Sequence, residues 1–485
     1  MKHSNNEAIE SYHFESLYPP ESRFEEIEKI LKFVKEGKST QLIGLPGVGR
    51  SNTLGLLSYN KNVRKKHLDK NQKWFHFVEC NFSEIRKKPL HEATKFIFLN
   101  LVESLRERGK YPEAQSRFAG IDSFDNVNKI FKESVEVNDE MVLFQGLKRA
   151  IDFLCVEKEL TIVFLFDRFE EYIPDLDAQF FANLRILRNR AKYRFSVVFS
   201  LNRPLEELLE PMLFADFYEF IADNIVYLPI LDKPGLDFRI SYLEKVSGKK
   251  IEDKIVESVI GLTGGHGKLT RLCLEATIAT GNWPLATSQL KTNNEELITF
   301  LLEQKSVQGA LYEIWVSLLP EEQRLLASNQ LLSTSQESLR NTSEVTKGAP
   351  RRWILEELGL VRNNKVAIPL FEEFAKTLLR QDFGRAQQIT FDQNTNGIKR
   401  GDTSLSDILT SSEFKLLKFL LENPDKIIER EEIIKSVWKD EKTTEGVTDQ
   451  ALDQLIFRLR KKIEDDPNNP VHLQSIKGRG IRFST

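Results

Sequence analysis

The stretch "GLPGVGRS" at residues 44–51 constrains this chain more than any other. It follows the short apolar run "QLIG" and leads into "SNTLGLLSYN", so that a strand, a glycine loop and a helix succeed one another without spacer. Gly44, Gly47 and Gly49 allow a tighter backbone path than a Cβ would permit. Backbone N–H groups at the start of such a helix converge on an anion, and the helix dipole adds to the attraction. The octapeptide fits the phosphate-cradling pattern G-x-x-x-x-G-K-[ST] except that Arg50 stands where lysine is expected. Gly44, Gly47, Val48, Gly49, Arg50, Ser51 and Asn52 are therefore the expected nucleotide contacts, with the Ser51 hydroxyl as a magnesium ligand.

Further strands are expected at 74–80, 160–167, 194–202 and 224–230, with helical stretches such as 90–108 and 139–157 between them. That alternation argues a parallel sheet covered by helices on both faces. "IVFLFDRFEE" ends an apolar strand in Asp167, which places a carboxylate at the strand's carboxyl end, beside the glycine loop, where it would hold Mg²⁺ through water. Glu170 or Glu171 would orient the attacking water. From about residue 233 the pattern turns helical until a hairpin in "VRNNKVAI" at 361–368.

The chain carries 69 Lys and Arg against 72 Asp and Glu, a formal net charge of −3, so attraction to nucleic acid has to come from a local patch. Three widely spaced cysteines, Cys80, Cys155 and Cys273, read as buried reduced thiols. No apolar run approaches the ~20 residues that cross a bilayer. The N-terminal twenty residues carry no signal or transit pattern. The expectation is a cytoplasmic protein with no membrane partner.

"LFDRFEEYI" resembles the "DxFEE" Walker B strand of the STAND and related AAA+ ATPases, a group of signalling and initiator-like switches. "ESRFEEIEKILKFVKEGKST" is similar to the segment preceding their phosphate loop, and "VVFSLNRP" to their sensor 1 strand. "LTGGHGKLTRLCLEA" resembles their lid, with Gly264, Gly265 and His266 in its turn. The resemblance implies Asn202 and Arg203 as γ-phosphate sensors and Arg271 at the sensor 2 position, with ATP or ADP and Mg²⁺ as ligands. It also implies that residues 301–380, including "RRWILEELGLVRNNKVAIPLFEEFAKTLL", form a small winged helix. Arginine keeps the charge of the missing lysine but not its compact shape. Binding should survive that change better than hydrolysis, because binding rests on backbone N–H groups and catalysis on placement of charge.

The last hundred residues change character. "TSSE" at 410–413 is a capping box opening a helix, a second helix spans 429–438, and "TDQALDQLIFRLRKKIEDD" forms a third. "HLQSIKGRGIRFST" closes as a hairpin. "LTSSE", "RLRKKIEDDP" and "IKGRGIRF" closely resemble the winged helix-turn-helix effector domain of the OmpR/PhoB response regulators, with "ITFDQNTNGIKRG" as its leading sheet. The resemblance implies that the third helix enters the DNA major groove. Residues 404–485 carry 14 basic against 15 acidic side chains, but 456–485 carry 7 against 3. Arg458, Arg460, Lys461, Lys477, Arg479 and Arg482 are the candidate phosphate contacts, and Gln450 and Gln454 the candidate base readers. Leu455 and Phe457, where that family has polar residues, would meet thymine methyls or form a protein interface.

The expected fold is thus multidomain α/β: an N-terminal segment (1–20), a nucleotide-binding parallel sheet (21–232), a helical lid (233–300) and a winged-helix-like part (301–380). A linker (381–387) and the C-terminal winged helix-turn-helix (388–485) complete it. Three functions remain open: a nucleotide-regulated transcription factor with slow or absent hydrolysis; an oligomeric signalling or anti-phage defence protein whose winged helix binds protein or nucleic acid; and an ATP-dependent DNA-loading factor. A homo-oligomer is compatible with each.

Overall fold

Four runs of β-branched and aromatic residues join the strand before the glycine loop in one sheet. They are β1 (Thr40–Ile43), β2 (Phe75–Asn81), β3 (Thr161–Asp167), β4 (Phe195–Leu201) and β5 (Ile225–Tyr227), in the order β2-β3-β4-β1-β5. All pairings are parallel, with Asn81 opposite Asp167 and Thr40 opposite Val198. Every residue of β4 is buried, as is all of β3 beyond Thr161, which is why these strands read as continuous apolar runs without alternation. The computed structural model describes residues 13–109, 120–279, 294–327 and 352–387. Towards the C-terminus it describes 389–392, 395–401, 403–424, 426–438, 449–464, 467, 470, 472–476 and 480–483. The chain divides into two compact units, Met1–Ala375 and Lys376–Thr485.

In the first unit, phenylalanines fill the space over β3 and β4. Phe82 packs on Phe166 at 4.8 Å between ring centroids and Phe169 on Phe199 at 4.9 Å. Phe169, fully buried, anchors the short turn Phe169–Glu171 that follows Asp167, with Arg168 left-handed at φ 52° to make the corner. Two acids thus follow a fixed hydrophobic anchor. Past β5 come the helices Lys233–Ser247, Asp253–Thr263 and Gly267–Ala279, then Asn294–Glu303, Lys305–Val316, Pro320–Ala327 and Arg352–Glu357. The expected hairpin forms from β6 (Val361–Arg362) and β7 (Lys365–Val366), with Asn363 and Asn364 both left-handed in its turn. Residues 381–387, expected as a linker, instead continue the helix Pro369–Gln387, which has no proline or glycine pair to stop it there.

The second unit opens with an antiparallel sheet of β8 (Ile389–Asp392), β9 (Gly397–Arg400) and β10 (Thr403–Ser404). Helices Ser411–Leu421, Arg430–Val437 and Asp449–Ile463 follow, with a second sheet of β11 (Ile427–Ile428), β12 (Leu473–Ile476) and β13 (Gly480–Phe483). At Thr410 the backbone N–H donates to the Glu413 carboxylate at 2.8 Å, as the capping box requires. Glu413 is buried, and the Lys462 ammonium at 2.6 Å neutralises it. Three helices and a terminal hairpin around Leu416, Leu420, Ile433, Leu452, Leu459 and Phe483 make a winged helix.

One expectation about this core is corrected. Leu455 is fully buried in it, whereas Phe457 is 47% exposed. Leu455 shares a helix face with Leu452 and Leu459, at spacings of three and four, and that face is the core side. Leu455→Ala should cost about 2–5 kcal/mol of unfolding free energy, and Phe457→Ala should stay within about 0.5 kcal/mol of the native chain. Urea unfolding followed by circular dichroism measures both.

Candidate nucleotide and DNA sites

The glycine loop is held by its carbonyls. His266 Nε2 donates to the Pro46 carbonyl at 3.0 Å, the Lys268 N–H to Gly47 at 3.1 Å, and Arg23 Nη2 to Val48 at 2.7 Å. Gly47 and Gly49 have φ of 79° and 110°, and a Cβ on Gly47 would lie 2.8 Å from Lys268 Cβ. A Cβ on Gly44 would lie 2.8 Å from Val48 Cγ1, whereas nothing approaches the Gly49 position closer than 3.7 Å. The helix Arg50–Tyr59 starts here, and the first N–H groups of a helix have no intrahelical acceptor. Gly47, Val48, Gly49 and Asn52 line a cavity of about 220 Å³ with Tyr18, Arg23, Asp232, Arg239, Lys268 and Arg271. Four cations against one carboxylate suit an anionic occupant. Tyr18 precedes the loop in sequence and carries no motif of its own, whereas Arg23 lies in the "ESRFEE" segment similar to the one preceding the phosphate loop of the AAA+ ATPases.

Arg50 Nη2 meets Glu170 Oε1 at 2.6 Å, with the two side chains only 12% and 16% exposed. Arg50 Nη1, Glu170 Oε2, Asn52 Oδ1 and Asn202 Oδ1 are buried without a hydrogen-bond partner. Of these, Arg50 Nη1 is a donor that suits an anionic oxygen, whereas the three oxygens are acceptors that suit a hydroxyl, a water or a cation. Asp167 is buried and accepts from Ser200 Oγ at 3.1 Å. β4 lies between its strand and the loop strand, and the Arg50–Glu170 pair links the loop to the turn after Asp167. Ser51 is exposed in the first helical turn.

Two expected site residues are engaged elsewhere. Glu171 pairs with Arg86, and with Arg168 at 3.6 Å, pointing away from Arg50's partner. Arg203 is buried, ion-paired with Glu322 and, at 2.9 Å, with Glu207, and it donates to the Ser317 carbonyl at 3.1 Å. It bolts the end of β4 to the helices at 305–327 instead of facing a phosphate. Arg271 does line the cavity, paired with Glu275 at 2.8 Å.

In the second unit, the exposed side of the helix Asp449–Ile463 carries Gln450, Gln454, Arg458 and Lys461. Asp449 and Asp453 lie on that side too, and Arg430 binds them at 3.0 and 2.6 Å. Arg460 is taken by β12, donating to the Leu473 carbonyl and to Ser475 Oγ, each at 2.9 Å, so it is a wing anchor instead of a free phosphate contact. Arg482 likewise binds Gln474 across the hairpin. Lys477 and Arg479 lie outside the described residues.

Residues 407–483 match the family described as "Transcriptional regulatory protein, C terminal". The C-terminal domain is of this OmpR/PhoB type. The sensory transduction protein RegX3 of Mycolicibacterium smegmatis is 39% identical over 75 residues, covering 16% of this chain and 32% of that protein. The phosphate regulon transcriptional regulatory protein PhoB of Klebsiella pneumoniae is 33% identical over 98 residues, covering 20% and 40%. The chain thus spans about a third to two-fifths of the length of these relatives. Among solved structures, a Walker-type ATPase of Pyrococcus abyssi is 13% identical with a TM-score of 0.44, covering 73% of this chain and 95% of that one. The nucleotide reading below rests on the loop geometry alone. All three cysteines are free and buried, as expected. Among the described residues no helix is long and apolar enough to cross a membrane.

His266 makes the loop sensitive to acid. Its Nε2 must carry the proton given to Pro46, and its Nδ1 accepts from the Leu269 N–H at 3.3 Å, so the ring is neutral. Burial pushes its pKa from 6.5 down to about 4. The contribution is complete above pH 6.5 and is lost as pH falls towards 4, on the order of 3 kcal/mol in all. His76, also held down by burial, adds to the same trend, whereas Glu79, raised to about 7 by burial, opposes it. Calorimetry should therefore show a shallower fall in melting temperature between pH 6.5 and 4 for His266→Gln than for the native chain.

Proposed function

We propose that the chain is a nucleotide-held regulator: its first unit retains ATP or ADP with Mg²⁺, hydrolysing slowly or not at all, and its second unit binds DNA to control transcription. The observation that carries the reading is the Arg50–Glu170 ion pair. The residue meant to hold phosphate and the residue meant to orient water are bound to each other. Arginine has five N–H donors in a planar fork, so Nη1 can take a phosphate oxygen while Nη2 keeps Glu170. Lysine, a single point charge, would have to choose. Phosphates would lie on the N–H groups of the helix start, and the Asn52 and Asn202 oxygens, as acceptors, would take a nucleotide hydroxyl or a metal-bound water. Mg²⁺, a hard cation that keeps waters and phosphate oxygens as ligands, suits the Ser51 hydroxyl and Asp167 carboxylate as its two protein groups.

A regulator that binds an effector in one unit and DNA in the other needs no sustained turnover. The DNA-loading reading does need it, and a pinned Glu170 counts against it. The reading of the second unit as a protein-binding module is favoured by Asp449, Asp453 and Phe457 on its exposed helix face. Against it stand Arg458 and Lys461, and Arg430, which binds both acids and offsets one of their two charges.

The nucleotide claim is tested by mass spectrometry of ligand released from the purified native chain. We expect ATP or ADP, and a loss of affinity of about 10- to 100-fold in Asp167→Ala with magnesium present. Arg50→Lys should release Glu170 and raise ATP turnover above that of the native chain. No bound nucleotide and no affinity for ATP or ADP would sink the reading. For the DNA claim, the affinity of the full chain for duplex DNA should fall with salt, and Arg458→Ala should reduce the log–log slope by about 1.

A further inference from the structure

The exposed side of the helix Asp449–Ile463 is polar with one exception. Its inner side is closed by Leu452, Leu455, Ile456, Leu459 and Ile463, none more than 3% exposed. Phe457 alone of the large apolar side chains on this helix faces outward, 47% exposed and outside the core cluster. Helical spacing sets it beside Asp453 and Gln454 one turn earlier and Lys461 one turn later. The Lys461 ammonium sits over the ring, 4.6 Å from its centroid.

We propose that Phe457 selects thymine in the DNA major groove by contact with its C5-methyl group. This rests on the DNA-binding reading above and adds a base preference to it. A phenyl ring offers no donor or acceptor to a base edge, so it cannot discriminate by hydrogen bonding. The thymine methyl is the one apolar feature that base edges present in the major groove. With Lys461 over one face, stacking by an unpaired base on that face is blocked, while the ring edge remains open. The neighbours suit the same groove: Gln454 can pair with adenine N6 and N7, and Arg458 and Lys461 can meet phosphates. A partner protein with an apolar patch would have to cover Lys461 together with Arg458, whose countercharge among the described residues is the Glu413 carboxylate at 4.0 Å. Asp453 does not repel the phosphates at full strength, because Arg430 holds it at 2.6 Å.

The test uses the full chain and a library of randomised DNA duplexes. The duplexes it enriches are remade with deoxyuridine in place of thymidine, one position at a time, which removes a methyl and leaves pairing intact. We expect about a fourfold loss of affinity at one or two positions and none elsewhere. Phe457→Ala should bind the thymidine duplex more weakly and treat both forms alike, and Phe457→Leu should keep part of the difference. Tight binding that ignores every uracil, or a Phe457→Ala variant that still prefers thymine, overturns the inference and leaves the DNA-binding reading standing. Failure to enrich any duplex overturns both. A Phe457→Ala variant that binds DNA normally but loses an oligomer seen by sedimentation makes Phe457 a protein contact and overturns the inference alone.

Discussion

The capture of three loop carbonyls by Arg23, His266 and Lys268 is the constraint on which the first unit turns. A glycine-rich loop has the largest backbone entropy to lose, so its native path needs outside fixing. Here the fixing comes from segments more than two hundred residues apart in sequence. Arg23 also donates to the Pro229 carbonyl at 2.8 Å, and its backbone N–H to Asp232 at 3.2 Å, so one guanidinium ties the first helix, the loop and the strand exit after β5. Lys268 continues to Glu313 at 2.6 Å, which carries the connection on to the helix Lys305–Val316. Any change that moves the helix Gly267–Ala279 must release the Gly47 bond, so the loop's shape and the position of the later helices are one variable.

Arg203 makes the same point from the neighbouring strand, at the same carboxyl end of the sheet as the loop. Consecutive residues at a strand's end point to opposite sides, so Asn202 and Arg203 serve different neighbours. Asn202 keeps a buried, unpartnered oxygen, while Arg203 enters a pocket of two carboxylates and a carbonyl. Breaking such a buried pair by removing one partner costs on the order of 3–5 kcal/mol. That is enough to hold the helices at 305–327 in one place unless something else takes the charge.

Much of this was legible in the sequence, and the misses share a cause. The loop, the strand ending in Asp167 and the C-terminal helices with their capping box depend on contacts within a few residues, which local pattern encodes. The order of the strands, with β4 between β1 and β3, is set by packing across the whole sheet, and no strand announces its neighbour. Arg203 looked free because Glu322, its main partner, lies over a hundred residues on. Arg460 reads as a phosphate contact because its partners, the Leu473 carbonyl and the Ser475 hydroxyl, lie on a hairpin strand beyond its own helix. Leu455 differs, since the heptad-like spacing from Leu452 to Leu459 was readable and gives its buried side directly.

What the arginine in the loop does follows from counting donors and charges together. Were Arg50 to leave Glu170 for a phosphate, Glu170 would stay behind as a mostly buried carboxylate with neither oxygen paired, an arrangement that costs several kcal/mol. A guanidinium avoids this by serving both at once, since one nitrogen is already bound and the other is buried and free. With a nucleotide bound as proposed, the carboxylate would stay committed to Arg50, accepting hydrogen bonds from arginine where a catalytic carboxylate accepts them from water. The substitution therefore separates two properties that lysine joins. In the proposed regulator, affinity for phosphates would rest on the backbone N–H groups and the spare guanidinium nitrogen, while hydrolysis would wait on the rupture of the Arg50–Glu170 pair. On the proposed reading, a site so built would favour a long-lived nucleotide, and the lifetime of the bound state is what a regulator with a DNA-binding domain would need to control.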